Sequence, residues 1–317
     1  MTSSASTRVV LGRTGLSVSP VCVGTAAWGV ISPEHELSVP EDAAIATVHA
    51  MLRSPVNFLD TSNNYGGGES ERRIGVALQQ SGIPDDLVLQ TKLDRDPDTG
   101  SFGADRMRRS FDESRERLGD ATVHVAYLHD PEHIGFEAAM APGGPVDALL
   151  ALRDEGAVAH IGISGGPTRM LRRFVETGLF DALITHNRYT LIDRTADELL
   201  TVAADAGLGV LNAAVYGGGV LSRAPRVTDR YAYRAASHDV LSAIDDIGAA
   251  CERRGVPLLA AALQFSTRDP RIHSTICGMV SPDQLAQTLD LLDIDIPPEL
   301  WDEIDELVPG RDSWIND

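Results

Sequence analysis

Hydrophobic residues recur along the chain in short runs, each followed by a few polar or glycine residues and then by an amphipathic stretch. Short apolar runs are typical of strands, and apolar residues spaced three or four apart predict helices. Eight runs predict strands, at residues 21–24, 56–59, 87–90, 123–128, 159–163, 182–185, 209–211 and 274–277. Eight stretches predict helices, at residues 41–53, 69–80, 105–118, 145–155, 168–177, 196–206, 239–253 and 282–292.

Two parallel α/β architectures fit this alternation, a closed barrel and an open doubly wound sheet. Several of the runs are continuously apolar, as expected for strands that are covered on both faces. An open sheet that binds a dinucleotide should carry G-x-G-x-x-G after its first strand. Residues 24–29 (GTAAWG) lack that spacing. The pattern therefore predicts an α/β fold of the (β/α)8 TIM barrel class.

Additional elements are expected at both ends of the barrel. Residues 8–18 predict an N-terminal β-hairpin, with Gly12 and Gly15 near its turn. The segment after Pro297 predicts an extra C-terminal helix, and residues 216–238 predict a functional loop on the barrel face. Because no Pro/Ser-rich linker or low-complexity block divides the chain, we expect residues 1–317 to form a single domain.

The composition narrows the range of partners. The chain has 46 Asp and Glu against 27 Lys and Arg, a net charge of −19, which repels nucleic acid and anionic membranes. Its cysteines, Cys22, Cys251 and Cys277, form no C-x-x-C pair and are typical of free thiols in a reducing compartment. The start of the chain lacks the features of a signal peptide, and the longest aliphatic run, residues 258–263, is too short to span a bilayer. We expect a cytoplasmic protein that binds neither nucleic acid nor membrane.

Polar residues follow three consecutive predicted strands. Asp60, Lys92 and His129 stand after the second, third and fourth strands, and Tyr65 follows Asp60 by five residues. In a (β/α)8 barrel, functional residues gather at the carboxyl ends of the strands. Each residue alone has an ordinary explanation: a helix cap, a solvated charge, a core histidine or a loop aromatic. Together they predict one pocket with four converging polar groups.

A metal site is not expected. His124, His129 and His133 are close in sequence. His124 and His129 are separated by an odd number of positions along a strand, so they point to opposite faces and cannot share a metal ion.

Longer stretches around these residues resemble one enzyme family. Residues 58–71 (FLDTSNNYGGGESE), 90–92 (QTK) and 127–131 (YLHDP) are similar to the catalytic motif of the aldo-keto reductases. Residues 11–19 (LGRTGLSVS), 162–164 (GIS) and 277–282 (CGMVSP) match the same family, so the resemblance covers nearly the whole chain. It implies a nicotinamide-dependent oxidoreductase that moves a hydride to or from a carbonyl carbon.

The resemblance assigns a role to each of the four strand-end residues. Carbonyl reduction also needs a proton on oxygen, so the site needs a positioned acid. Tyr65 is implied to be that acid, and the base in oxidation. A free tyrosine has a pKa of about 10, and the ammonium of Lys92 is expected to lower it. Asp60 would keep the lysine charged, and His129 would hydrogen-bond the substrate oxygen.

The cofactor contacts implied by the resemblance are partly altered in this chain. Ser164 fits a family serine that holds the nicotinamide carboxamide, but Gly165 stands where an asparagine is usual. His186 stands where a glutamine is usual and Asn187 is adjacent, so either could hold the carboxamide. Tyr216 and Gly278 are further expected contacts with the cofactor.

The choice between NAD and NADP depends on the loop after the eighth strand. Relatives that prefer NADP carry cations there that bind the 2′-phosphate, whereas residues 278–284 (GMVSPDQ) contain none and Gln284 takes the place of an arginine. Losing a bidentate arginine removes most of the preference for a phosphorylated ribose. We therefore expect NAD as the preferred cofactor, with NADP as the alternative, and the pyrophosphate near Ser281 at a helix start.

The substrate is expected to be a sugar or an aldehyde. Residues 188–193 (RYTLID) and 212–216 (NAAVY) are similar to the branch that oxidises aldoses, L-fucose and pyridoxal, in which sugar hemiacetals become lactones. Trp28 is a candidate substrate wall, with a packed rim aromatic as the alternative. The other functions considered are a broad NADPH-dependent aldehyde or ketone reductase, a non-catalytic binding subunit, and an aldolase with Lys92 as Schiff-base nucleophile.

Overall fold

Eight parallel strands close into a barrel in the computed structural model, which describes residues 6–29 and 39–315. A separate antiparallel hairpin, β1 (Val9–Val10) and β2 (Ser17–Val18), precedes them. The barrel strands are β3 (Val21–Gly24), β4 (Phe58–Asp60), β5 (Val88–Leu93), β6 (Val125–His129), β7 (His160–Gly165), β8 (Ala182–His186), β9 (Gly209–Ala213) and β12 (Ser274–Gly278). They pair in sequence order, and β12 closes the circle between β9 and β3. The predicted (β/α)8 barrel and its N-terminal hairpin are confirmed.

The helices surround the barrel and fill the connections between the strands. They are α1 (Glu41–Leu52), α2 (Glu69–Ser81), α3 (Ala104–Leu118), α4 (Phe136–Met140), α5 (Pro145–Asp154), α6 (Thr168–Glu176), α7 (Asp197–Asp205), α8 (His238–Arg253), α9 (Leu258–Thr267), α10 (Pro282–Leu292) and α11 (Pro298–Leu307). The eight predicted helices are all present, and α11 is the extra helix expected after Pro297. None of the helices in the described ranges is long and apolar enough to cross a membrane.

The helix α9 was not predicted, and its burial explains why. Leu258, Leu263 and Phe265 are buried together with the alanines between them, so this helix presents almost no polar face. A helix that is apolar around most of its circumference lacks the periodic contrast by which an amphipathic helix is recognised. The long loop predicted at 216–238 contains a second small hairpin, β10 (Arg230–Tyr231) and β11 (Arg234–Ala235).

The strand β5 is longer at its carboxyl end than the sequence pattern predicted. The apolar run ends at Gln90, whereas the strand continues to Leu93. Lys92 therefore lies within the strand, directly beside Tyr127 of β6 in the parallel register. This placement turns the lysine side chain into the barrel instead of leaving it in a solvated loop.

The N-terminal hairpin closes the bottom of the barrel. Leu11, in the hairpin loop, is fully buried against a cluster of barrel-interior side chains that includes Phe58 and Tyr127. A methyl group on Gly209 would lie 2.5 Å from Cγ of Leu11, so the glycine at the start of β9 provides the space for the leucine. The closed bottom leaves the carboxyl ends of the strands as the open end of the barrel.

Replacing Leu11 with alanine should lower the free energy of unfolding by about 2–5 kcal/mol, because it leaves a cavity in a rigid barrel interior. The neighbouring Val10 is 57% exposed, so Val10→Ala should change stability by no more than about 0.5 kcal/mol. Urea unfolding of the two variants measures both values. Equal destabilisation by the two substitutions would contradict the conclusion that the hairpin closes the bottom of the barrel.

Candidate active site

A cavity of about 570 Å³ opens at the carboxyl ends of the barrel strands. Asp60, Tyr65, Lys92 and His129 all line it. Four of the expected cofactor contacts line the same cavity: Ser164, His186, Asn187 and Gly278. The structure thus brings together in one place most of the residues that sequence analysis singled out.

Lys92 is buried inside the barrel and donates three hydrogen bonds. Its Nζ atom lies 2.7 Å from Oδ2 of Asp60, 2.8 Å from the carbonyl oxygen of Thr61 and 3.2 Å from the hydroxyl of Tyr65. Burial disfavours the ammonium, but the charge of Asp60 and the hydrogen bonds to Asp60 and Tyr65 outweigh it and raise the pKa of Lys92 above its ordinary value. The lysine is therefore a buried cation, not a surface charge. A Schiff-base nucleophile would need the neutral amine.

Asp60 is held in place by a chain of hydrogen bonds through the barrel interior. Its Oδ1 accepts a hydrogen bond of 2.8 Å from the side-chain amide of Gln90, whose carbonyl accepts one of 2.9 Å from the hydroxyl of Tyr127. A methyl group on Gly162 would lie 2.3 Å from the Tyr127 ring, so only glycine there leaves space for the tyrosine. These supporting residues were not identified from the sequence, because their contacts join different strands.

Tyr65 lies at the start of a 3-10 turn after β4. Burial raises the pKa of its phenol above the ordinary value, and the ammonium of Lys92 offsets only part of this effect. The lowering expected from Lys92 is present, but burial outweighs it, so the pKa of Tyr65 stays above its ordinary value. Tyr65 is a neutral phenol at physiological pH, with its ring edge toward His129 at a centroid distance of 5.9 Å.

His129 is paired with a carboxylate that sequence analysis missed. Nδ1 of His129 lies 2.7 Å from Oδ1 of Asp94 and 3.2 Å from the hydroxyl of Ser62. Asp94 follows Lys92 by two positions, so the alternation of side chains along a strand places both on the same side. That spacing was a signal in the sequence that could have identified Asp94.

Three buried side-chain oxygen atoms at the cavity lack a hydrogen-bond partner: Oδ1 of Asp130, Oε2 of Glu132 and Oδ1 of Asn187. The nitrogen of the Asn187 amide contacts Nδ1 of the adjacent His186 at 3.1 Å, which directs the two side chains toward each other. Unpaired acceptors of this kind suit a ligand that brings its own N–H or O–H donors, as a nicotinamide carboxamide does. The residues present therefore fit the expected cofactor.

Three expected cofactor contacts lie outside the cavity lining. Ser281 directly precedes α10 and accepts a hydrogen bond of 3.3 Å from the backbone N–H of Gln284, while the Gln284 side-chain oxygen accepts one of 3.0 Å from the N–H of Val280. In this structure both side chains cap the helix. Tyr216 follows β9 with its hydroxyl 4.0 Å from the sulfur of Cys277.

The structure corrects the role expected for Trp28. Its side chain is fully buried, and the indole N–H donates a hydrogen bond of 2.6 Å to the carbonyl oxygen of Met279. Trp28 does not line the cavity. The alternative of a packed rim aromatic is the one that the structure supports.

The backbone around the cavity is locally strained. Five residues other than glycine have positive φ angles in the described ranges, and all five line the cavity: Asp130, Asn187, Ala214, Ala232 and Tyr233. The left-handed region is unfavourable for residues with a Cβ atom, and such conformations cluster at functional sites. Their confinement to this cavity supports a functional role for it independently of any motif.

The histidines considered for a metal site are not brought together. Nδ1 of His124 accepts a hydrogen bond from the backbone N–H of Leu89, whereas Nδ1 of His129 contacts Asp94. A different group, Asp130, Glu132 and His186, has ligand atoms within 4.8 Å of one another. Oδ1 of Asp130 lies 3.8 Å from Nε2 of His129 and 3.9 Å from Nε2 of His186, so this oxygen stands between two imidazoles. We assign no metal ion to this group.

Comparisons with known proteins agree with the geometry. A sequence model of the aldo/keto reductase family matches residues 20–309. The chain is 31% identical to a D-threo-aldose 1-dehydrogenase of Pseudomonas sp over 96% of its length and 99% of that protein. It is 34% identical to an L-galactose dehydrogenase of Arabidopsis thaliana, over 88% of this chain and 86% of the relative. It is 28% identical to a pyridoxal 4-dehydrogenase of Microbacterium luteolum, over 94% and 96%.

The fold has a counterpart among solved structures. An aldo-keto reductase from Bacillus halodurans, in its holo form, superimposes with a TM-score of 0.77 at 20% identity and covers 96% of both chains. The match of the family over most of the chain and the identity to full-length relatives lead to one conclusion. The chain belongs to the aldo/keto reductase family and is an oxidoreductase that acts on CH–OH or carbonyl groups.

Proposed function

We propose that the protein oxidises a sugar hemiacetal to a lactone, or interconverts an aldehyde and an alcohol, with Tyr65 as the general acid and base. The observation that carries this proposal is the contact of 3.2 Å between the Tyr65 hydroxyl and the Lys92 ammonium, at the inner end of the cavity. A phenol beside a buried cation can release and regain a proton at a fixed position. A bound nicotinamide would supply or accept the hydride.

The proton moves through residues of this chain. In reduction, the Tyr65 phenol donates its proton to the substrate oxygen, and the Lys92 ammonium stabilises the phenolate that remains. In oxidation, the phenolate takes the proton of the substrate hydroxyl. The Asp60 carboxylate keeps Lys92 charged in both directions, and its hydrogen bond from Gln90 fixes its orientation. His129, on the other side of Tyr65, binds the substrate oxygen.

The lining of the cavity favours a substrate with several hydroxyl groups. Beside an apolar surface, the cavity is lined by further charged or polar side chains in addition to the four strand-end residues and Ser164: Asp130, Glu132, His186, Asn187, Arg188 and Arg234. Carboxylates and imidazoles pair readily with vicinal hydroxyls, and leaving such groups without partners is unfavourable when an apolar substrate displaces water. The names of the aldose and L-galactose dehydrogenases, which describe those relatives, support a sugar over a simple apolar carbonyl compound.

The preference for NAD over NADP is part of this proposal. No cation occurs between Gly278 and Gln284, and the Gln284 side chain is engaged with the backbone N–H of Val280. A 2′-phosphate at this place would lose its water without gaining a charged partner. The N-terminus of α10 beside Ser281 offers backbone N–H groups for the pyrophosphate.

Tyr65→Phe should lower kcat by about 100- to 10,000-fold, the usual contribution of a general acid or base, while NADH binding is retained. Stopped-flow turnover with a panel of aldoses and protein fluorescence titration with NADH measure the two properties. Tyr233→Phe is the matched control, since Tyr233 lines the same cavity and is 52% exposed. Undiminished turnover in Tyr65→Phe would rule out its acid–base role. Cofactor binding without turnover by the unmodified protein would favour a binding subunit.

Gln284→Arg should raise the ratio of kcat/KM with NADP to that with NAD by at least about tenfold, because a charged hydrogen bond to phosphate contributes about 1.5–3 kcal/mol. Gln287→Arg adds the same charge one turn further along α10, at an exposed position, and should leave the ratio nearly unchanged. A strong preference of the unmodified protein for NADP would contradict the assignment and favour a broad NADPH-dependent reductase.

A further inference from the structure

The carboxylate of Asp94 is fixed at both of its oxygens. Oδ1 contacts Nδ1 of His129 at 2.7 Å. Oδ2 accepts a hydrogen bond from the hydroxyl of Ser62 and another of 3.0 Å from the backbone N–H of Asn64. Asp94 is only 7% exposed. A buried carboxylate with this many donors is an ion held in one orientation, and among residues 6–29 and 39–315 His129 is its only side-chain partner that can become charged.

We propose that Asp94 is a positioning residue that holds the Nδ1 hydrogen of His129, directs Nε2 toward the cavity and keeps the imidazole charged through the neutral pH range. The inference rests on the proposed function, in which Nε2 of His129 meets the substrate oxygen. It goes further because it assigns His129 as a cation, whereas the proposed function requires only that His129 binds the substrate oxygen. A fixed cation beside a developing oxyanion lowers the barrier more than a neutral donor does.

The charges around His129 support its protonation. Burial opposes the charge, but Asp130, with Oδ1 3.8 Å from Nε2, and Asp94 outweigh it and raise the pKa of His129 to about 9. The ammonium of Lys92 acts in the opposite direction from β5. The group facing Asp130 on its other side is His186, 3.9 Å away. The balance of these groups leaves His129 charged below about pH 9 and neutral above it.

The arrangement gives Tyr65 a cation on each side. Lys92 contacts the Tyr65 hydroxyl and is balanced by Asp60, while His129 lies at the edge of the Tyr65 ring and is balanced by Asp94. A substrate oxygen between Tyr65 and His129 would face two N–H or O–H donors. Reduction should therefore proceed at a constant rate up to about pH 9 and fall as His129 loses its proton.

The test is Asp94→Asn, which keeps an acceptor oxygen and the size of the side chain but removes the charge. The pKa of His129 should fall by about one to three units, the usual effect of an adjacent opposite charge. NMR titration of the labelled imidazole in cofactor-free protein measures this without reference to turnover. The fall in kcat for reduction should move to lower pH by the same amount, with KM for the cofactor unchanged. Asp98→Asn, in the exposed loop nearby, should change neither quantity.

Two further measurements keep the inference falsifiable. In the His129→Gln background, Asp94→Asn should produce no additional shift of the pH profile, because Asp94 acts through the imidazole. Titration of His129 near pH 6.5 in the unmodified protein would overturn the inference even if Asp94→Asn failed to fold. Slower turnover in Asp94→Asn with an unmoved pH profile would also overturn it. If no substrate is turned over, the proposed function fails, whereas the NMR titration still decides the role of Asp94.

Discussion

The buried ion pair between Lys92 and Asp60 is the interaction on which the site depends. Their side chains are only 2% and 4% exposed, and the two charges are 2.7 Å apart. Taking both charges out of water costs several kcal/mol for each ion, and only close pairing with complete hydrogen bonding offsets that cost. The barrel meets this requirement with further hydrogen bonds. Gln90, which accepts a hydrogen bond from Tyr127, donates one to Asp60, and the carbonyl oxygen of Thr61 accepts one from Lys92. In the proposed reaction, Tyr65 meets a cation whose position and charge are already fixed, so little reorganisation is needed when its proton moves.

Much of the fold and part of the site could be predicted from the sequence, because both produce patterns among residues that are close together in the chain. The alternation of apolar runs and amphipathic stretches gave the barrel, and Asp60, Lys92 and His129 stood out because they end or follow apolar runs. Features that depend on distant packing could not be found in this way. The indole N–H of the buried Trp28 donates its hydrogen bond to the carbonyl oxygen of Met279, which is 251 positions away. The pKa of Tyr65 depends on the extent of its burial, which no motif records.

The acidic composition of the chain contrasts with the charge distribution at the inner end of the cavity. Over the whole sequence acids outnumber bases, with a net charge of −19, yet Lys92 and His129 lie on either side of Tyr65, each with its own carboxylate. The net charge is therefore a property of the whole surface, whereas the charges at the cavity are grouped in pairs that nearly cancel. Solvent and salt screen the surface charges strongly, whereas they screen the buried pairs of charges only weakly.

The five strained residues around the cavity carry a consequence for how the protein can change over time. A left-handed residue with a Cβ atom costs about 1–3 kcal/mol, and glycine would remove most of that cost. The barrel therefore keeps a less favourable backbone at Asp130, Asn187, Ala214, Ala232 and Tyr233 than its framework requires. Replacing these residues with glycine would relax the backbone there, but it would also make the loops that line the cavity more flexible. Thermal stability and the shape of the cavity therefore oppose each other at the carboxyl ends of the strands. At the closed bottom of the barrel, substitutions can raise stability without changing the cavity.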